Sequence, residues 1–81
     1  MISLVIVNYN QELYLERAIA SILEQTRKDW ELVIWDDGST DNSVKIARGY
    51  EQKDARIRVI VAPHQGIAKA RKNAIAETQG D

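Results

Sequence analysis

Three short apolar runs, at residues 2–7 (ISLVIV), 31–35 (ELVIW) and 57–62 (IRVIVA), dominate the chain. Each is followed by a polar cluster and then by a stretch whose apolar residues recur at helical spacing. Runs of this length, rich in β-branched residues and closed by turn formers, suit strands buried on both faces. After the first run, Asn10 stands where a helix cap belongs. Leu15, Ala18, Ile19, Ile22 and Leu23 then form one stripe ending near Gln25. After the second, Asp41 or Ser39 can cap a helix whose stripe is Ser43, Ile46, Ala47 and Tyr50. In the third run Arg56 and Arg58 alternate with Ile57 and Val59, a wetter face that suits a sheet edge, and Pro63 closes it. A last helix over residues 66–78 sets Ile67, Ala70, Ala74 and Ile75 on one side.

The order is therefore β-α-β-α-β-α. That alternation predicts a three-layer, Rossmann-like α/β fold with a short parallel sheet and right-handed crossovers. All strand ends that lead into helices then share one rim, where ligands of open α/β sheets bind. Asn8-Tyr9-Asn10, Asp36-Asp37-Gly38-Ser39 and His64-Gln65-Gly66 all fall on it.

Totals bound the function. With 81 residues the chain is one domain at most, and 44% hydrophobic residues allow a small core. Eleven basic side chains against 12 acidic ones leave no basic field for nucleic acid. The absence of cysteine excludes disulfides and thiolate metal sites. No apolar run is long enough to span a bilayer, and the first residues lack the basic start of a secretory signal. A cytoplasmic location is the expectation. The closing Thr78-Gln79-Gly80-Asp81 is turn-like, and the chain reads as a fragment or a very small unit.

At the rim, Asp36 and Asp37 point to opposite sides of the strand, so they cannot share one task. One can cap the following turn through backbone amides. The other is expected to face the crevice as an acceptor for the N–H of a planar base, beside Tyr9. The plainer reading is a turn with an N-cap and nothing more. Gly66 opens the last helix, where free amides and the helix dipole favour an anion. Arg71 can lean back toward the crevice, whereas Lys69 and Lys72 read as a solvated face. His64, the only histidine, has no partner spacing that suggests catalysis, and it receives no role. Trp30 and Trp35 read as packing residues. Glycine-rich dinucleotide and P-loop motifs are missing, and no metal-ligand spacing occurs.

V-I-V-N-Y-N at 5–10, S-I-L-E-Q-T at 21–26, W-E-L-V-I-W-D-D-G-S-T-D at 30–41 and Q-G-I-A-K-A-R-K-N-A at 65–74 together resemble the N-terminal segment of family 2 glycosyltransferases. The resemblance covers essentially the whole chain, in order. It implies part of a GT-A fold with strand order 3-2-1, holding the nucleotide of an activated sugar, UDP-linked. Val7 and Tyr9 would line the base pocket, Asp37 would accept from the uracil N3–H, and residues Gly66 to Arg71 would approach the base and ribose. Asp36, Gly38 and Asn73 would brace the loops. Val7 departs from the Pro or small polar residue frequent in the family, and Gln65 lies near a position often held by Asn. The family's D-x-D metal motif and its catalytic base come after Gly80-Asp81. This segment is thus expected to hold no catalytic or metal-binding residue, while the whole enzyme uses Mg or Mn.

Two rivals remain from other classes. A non-catalytic folding or assembly module would pair two copies through an open edge of the first strand. A phosphate-accepting receiver-like domain would need a later lysine-bearing strand, which this chain lacks.

Overall fold

The computed structural model describes residues 1–78, so Gln79, Gly80 and Asp81 of the turn-like ending lie outside the described residues. Six elements follow in order: β1 (Ile2–Asn8), α1 (Glu12–Glu24), β2 (Trp30–Asp36), α2 (Ser43–Lys53), β3 (Ile57–Val61) and α3 (Ile67–Ala76). All strands are parallel in the spatial order β1-β2-β3, the expected 3-2-1 read from the other side. Asn8 pairs with Asp36, and Asp36 with Val61, so the three strand ends meet at one level. No helix among the described residues is long and apolar enough to cross a membrane.

The central strand decides the layering. Successive side chains of β2 point to opposite faces, and both faces are covered. Trp30, Leu32 and Ile34 join Leu15, Ile19, Ala47, Ile57 and Val59 in a core beneath α1 and α2. Val33, Ala70 and Ala74 are buried outside that cluster, where α3 packs on β1 and β2. Alanine at both i and i+4 lets α3 lie close against the sheet.

Ile67 and Ile75 depart from the expected stripe: they are 64% and 55% exposed. The buried face of α3 is centred on Ala70 and Ala74, and the two isoleucines fall on its β1 flank. There they line a groove of about 390 Å³ with Val5, Val7, Tyr14 and Arg71.

The two outer edges of the sheet are treated differently. At β3 the Val59 amide donates to Glu51 Oε2 at 2.7 Å, and Arg48 Nη1 donates to the Val59 carbonyl at 3.3 Å. Those two side chains also pair with each other at 2.9 Å. An i,i+3 ion pair on α2 thus fills the hydrogen-bonding sites that a further strand would use. The outer edge of β1 is instead flanked by the apolar groove.

Trp30 packs as expected, 3% exposed, with the Arg56 guanidinium 3.8 Å above its ring. Arg56 is held in turn by Asp54, at 2.7 Å.

Candidate functional site

The rim is assembled by short polar side chains that bond to each other's loops. Asp36, 1% exposed, accepts from the Ser39 amide at 2.8 Å and from Asn8 Nδ2 at 3.3 Å. It folds the turn 36–39 back on itself, the structural task foreseen for one of the two carboxylates. Asn10 does not cap α1. It sits at φ 52°, a left-handed conformation that asparagine tolerates, and its Oδ1 accepts from the amides of Thr40 (2.7 Å) and Asp41 (3.3 Å). Asp41 does the capping for two helices. Its Oδ1 accepts from Ser43 at the start of α2, at 2.9 Å, and its Oδ2 from Glu12 at the start of α1, at 3.2 Å.

Asp37 turns the other way and is also 1% exposed. Its Oδ1 accepts from the Gln65 amide at 2.9 Å and its Oδ2 from the Gly66 amide at 3.0 Å. His64 Nδ1 lies 2.9 Å from Oδ2 and 3.1 Å from the Asp37 carbonyl. Both neighbours are acceptors, so this nitrogen carries the proton. The His64 ring stacks on Tyr9 with centroids 4.1 Å apart and planes 27° from parallel. Burial alone would raise the Asp37 carboxyl, but the two amides and His64 outweigh it and hold the group below the ordinary aspartate range. Gly38, at φ 80°, passes so close to the loop that a Cβ there would lie 2.7 Å from the His64 nitrogen.

Two expectations therefore meet in one contact. The sequence points to a free acceptor at Asp37 and an open anion site at Gly66. In the folded chain the anion at Gly66 is the Asp37 carboxylate, so the Gly66 amide is taken and each Asp37 oxygen already accepts one backbone bond. Sequence spacing gave no hint of this, because the partners are 28 and 29 residues apart along the chain. Tyr9, Asp37 and Gly66 are brought together. Val7 and Arg71 line the groove beside β1. Asn73 is exposed on α3 and makes no side-chain hydrogen bond among the described residues. His64 is the residue that sequence reasoning missed. Its place on the rim loop, two residues before Gly66, was the available signal.

Among the described residues no three His, Cys, Asp or Glu side chains converge as a metal site. Asp36 accepts from the Ser39 amide and the Asn8 side chain, and Asp37 from two backbone amides.

Comparison with known proteins agrees with the fold. The family model for glycosyl transferase family 2 matches residues 3–81. An uncharacterized glycosyltransferase, EpsJ, of Bacillus subtilis is 39% identical over 80 residues, which cover 99% of this chain and 23% of that protein. An uncharacterized glycosyltransferase of Haemophilus influenzae is 40% identical over 82 residues, covering 100% of this chain and 33% of its own length. The chain thus spans a third or less of these relatives. Among solved structures, the mannosyltransferase PcManGT from Pyrobaculum calidifontis, in complex with GDP-Man and Mn2+, superposes with a TM-score of 0.85. It is 20% identical, and the match covers 96% of this chain and 24% of that one. At that identity the likeness concerns the fold, which is that of a GT-A glycosyltransferase.

Proposed function

The chain belongs to glycosyl transferase family 2, and we propose that it forms the nucleotide-binding N-terminal part of an enzyme that transfers a sugar from a UDP-linked donor to an acceptor hydroxyl. The observation that carries this reading is the convergence of Tyr9, Asp37 and the 64–66 loop on the rim of a parallel sheet. Tyr9 supplies a stacking face and Asp37 the acceptor for the uracil N3–H. Val7 lines the pocket, and the stretch from Gly66 to Arg71 approaches base and ribose. Asp36 and Gly38 shape the turn beneath them. The reading is supported by PcManGT, whose complex contains GDP-Man.

By itself the chain binds nucleotide weakly and does not catalyse transfer. In the whole enzyme a divalent cation, Mg or Mn, would neutralise the leaving pyrophosphate, and its ligands belong outside the residues described here. We propose a cytoplasmic location for the enzyme, whether free or at the cytoplasmic membrane face, a reading that the lack of cysteine supports.

The test is a titration of isotope-labelled protein with UDP, with and without magnesium, followed by NMR. Shifts clustered at Tyr9, Asp37 and Arg71, and lost in Asp37→Ala, support the reading. No shifts at millimolar UDP would remove it.

One observation favours a second reading, self-association of the chain. Arg48 and Glu51 cover the β3 edge, while β1 is bordered by exposed Tyr14, Ile67 and Ile75. Two copies could pair antiparallel along β1. Light scattering showing a monomer at high concentration would exclude it.

A further inference from the structure

His64 makes the two contacts that the nucleotide reading assigns to a base. Its planar ring lies on Tyr9 with a centroid separation of 4.1 Å, within the range of aromatic stacking. Its Nδ1 lies 2.9 Å from Asp37 Oδ2 and hydrogen-bonds the Asp37 carbonyl at 3.1 Å, so the imidazole N–H sits at the mouth of the carboxylate. A uracil held by the same two residues would present a flat ring to Tyr9 and one ring N–H to Asp37. Ring and base cannot occupy that place together.

The side chain is built to leave. It is 54% exposed, on a loop between Pro63 and Gly66, whereas the carboxylate it covers is 1% exposed. The loop keeps its own anchors when the ring swings out. Asp37 holds the Gln65 and Gly66 amides through bonds that do not involve the imidazole. Rotation about the His64 side-chain bonds therefore frees one face of Tyr9 and one lone pair of Asp37 Oδ2 without unfolding the rim.

We infer that His64 is an internal stand-in for the nucleobase, which the incoming nucleotide displaces from Tyr9 and Asp37, and that it thereby sets the affinity and the base preference of the site. This rests on the nucleotide-binding reading above and deepens it. An entering base must replace both a stack and an N–H donor. Bases with a ring N–H at their pairing edge, uracil and guanine, recover both contacts. Adenine and cytosine offer a ring nitrogen acceptor to the carboxylate there and recover less.

The test compares UDP binding to the chain and to its His64→Ala and His64→Phe variants, with native spectra and thermal melts confirming that each folds. Truncation removes the competitor, so His64→Ala is expected to bind UDP about tenfold more tightly if the closed arrangement outweighs the open one by about ten to one. Phenylalanine keeps the stack and loses the N–H, so His64→Phe should fall between the two. In the unaltered chain, saturation with UDP should abolish the nuclear Overhauser contacts between the Tyr9 and His64 rings. Equal or weaker binding by His64→Ala, or ring contacts that persist at saturation, would overturn the displacement idea while leaving the nucleotide site standing. Failure of the chain and of His64→Ala alike to bind UDP would overturn both.

Discussion

The carboxylate of Asp37 and the amide of Gly66 are 3.0 Å apart, joining the end of β2 to the start of α3. Helix N-termini attract anions because their first amides lack partners and the helix dipole is positive there. Here the anion is part of the chain. The same contact buries Asp37 and positions the loop that carries His64 over Tyr9.

Removing that carboxylate should cost more than one hydrogen bond. Asp37→Ala leaves the Gln65 and Gly66 amides without their acceptor, and an unsatisfied buried donor costs about 1–3 kcal/mol. Asp37→Asn retains one carbonyl oxygen and should lose less. Chemical denaturation of the three proteins checks the order, and amide exchange at Gln65 and Gly66 should speed up in both variants.

Stability should fall in acid, with a sign fixed by the carboxylates. Asp37, Asp54 and Glu51 are all held below their ordinary values of 3.8, 3.8 and 4.5. For Asp54 the cause is the Arg56 side chain and amide. For Glu51 burial opposes the shift, and the Val59 amide and Arg48 overcome it. A depressed folded value means the stabilisation is fully present above the unfolded value, at neutral pH. It is lost as pH falls through about 4 and below. Thermal melts from pH 7 to pH 3 should show this decline, and Asp37→Asn should flatten part of it.

Two glycines at positive φ should respond differently to a methyl group. Gly38 (φ 80°) and Gly66 (φ 98°) both sit where an L side chain is strained. Only at Gly38 would the Cβ also meet backbone, 2.7 Å from the His64 nitrogen; at Gly66 nothing lies within 4 Å. Gly66→Ala should cost roughly the strain alone, about 1–2 kcal/mol, and Gly38→Ala clearly more. Gly38→Ala should also displace His64, seen as a changed Tyr9 ring environment. Equal losses would show that the close approach is relieved cheaply.

The covered edge of β3 is testable through Glu51. Glu51→Ala removes the acceptor of the outward Val59 amide, and a loss of about 1 kcal/mol is expected. It also removes the carboxylate that holds Arg48 against the Val59 carbonyl, so the edge becomes available for pairing. Glu51→Gln keeps a carbonyl acceptor and should restore most of the stability. Concentration-dependent sedimentation of the alanine variant alone would mark the edge as the cause.

Much of the architecture was legible because it depends on periodicity. Strand-length apolar runs such as 2–7 alternating with stripes such as Leu15, Ile19 and Ile22 admit few arrangements. Right-handed crossovers then put Tyr9, Asp37 and His64 on one rim. Resemblance in the residues 30–41 and 65–74 named the family, and the family match over residues 3–81 supports it. Local rules went wrong where a polar side chain had a distant choice of partner. Asn10 looked like a cap for the helix that follows it, yet it holds Thr40 and Asp41, and Asp41 starts both helices. Ile67 and Ile75 fitted the period of α3, but which flank lacks a neighbour is decided by the sheet.

The sequence by itself determined the order of elements, the parallel sheet and the rim on which its polar clusters meet, because apolar spacing and chain handedness are local properties. Only the tertiary structure decided what those clusters do to one another. A carboxylate and two amides nearly thirty residues apart cancel each other's needs only after β2 and the last loop are brought together, and a histidine acquires a role only when Tyr9 and Asp37 lie on either side of it. Hydrogen-bond satisfaction is settled by distance in space, which no spacing along the chain encodes.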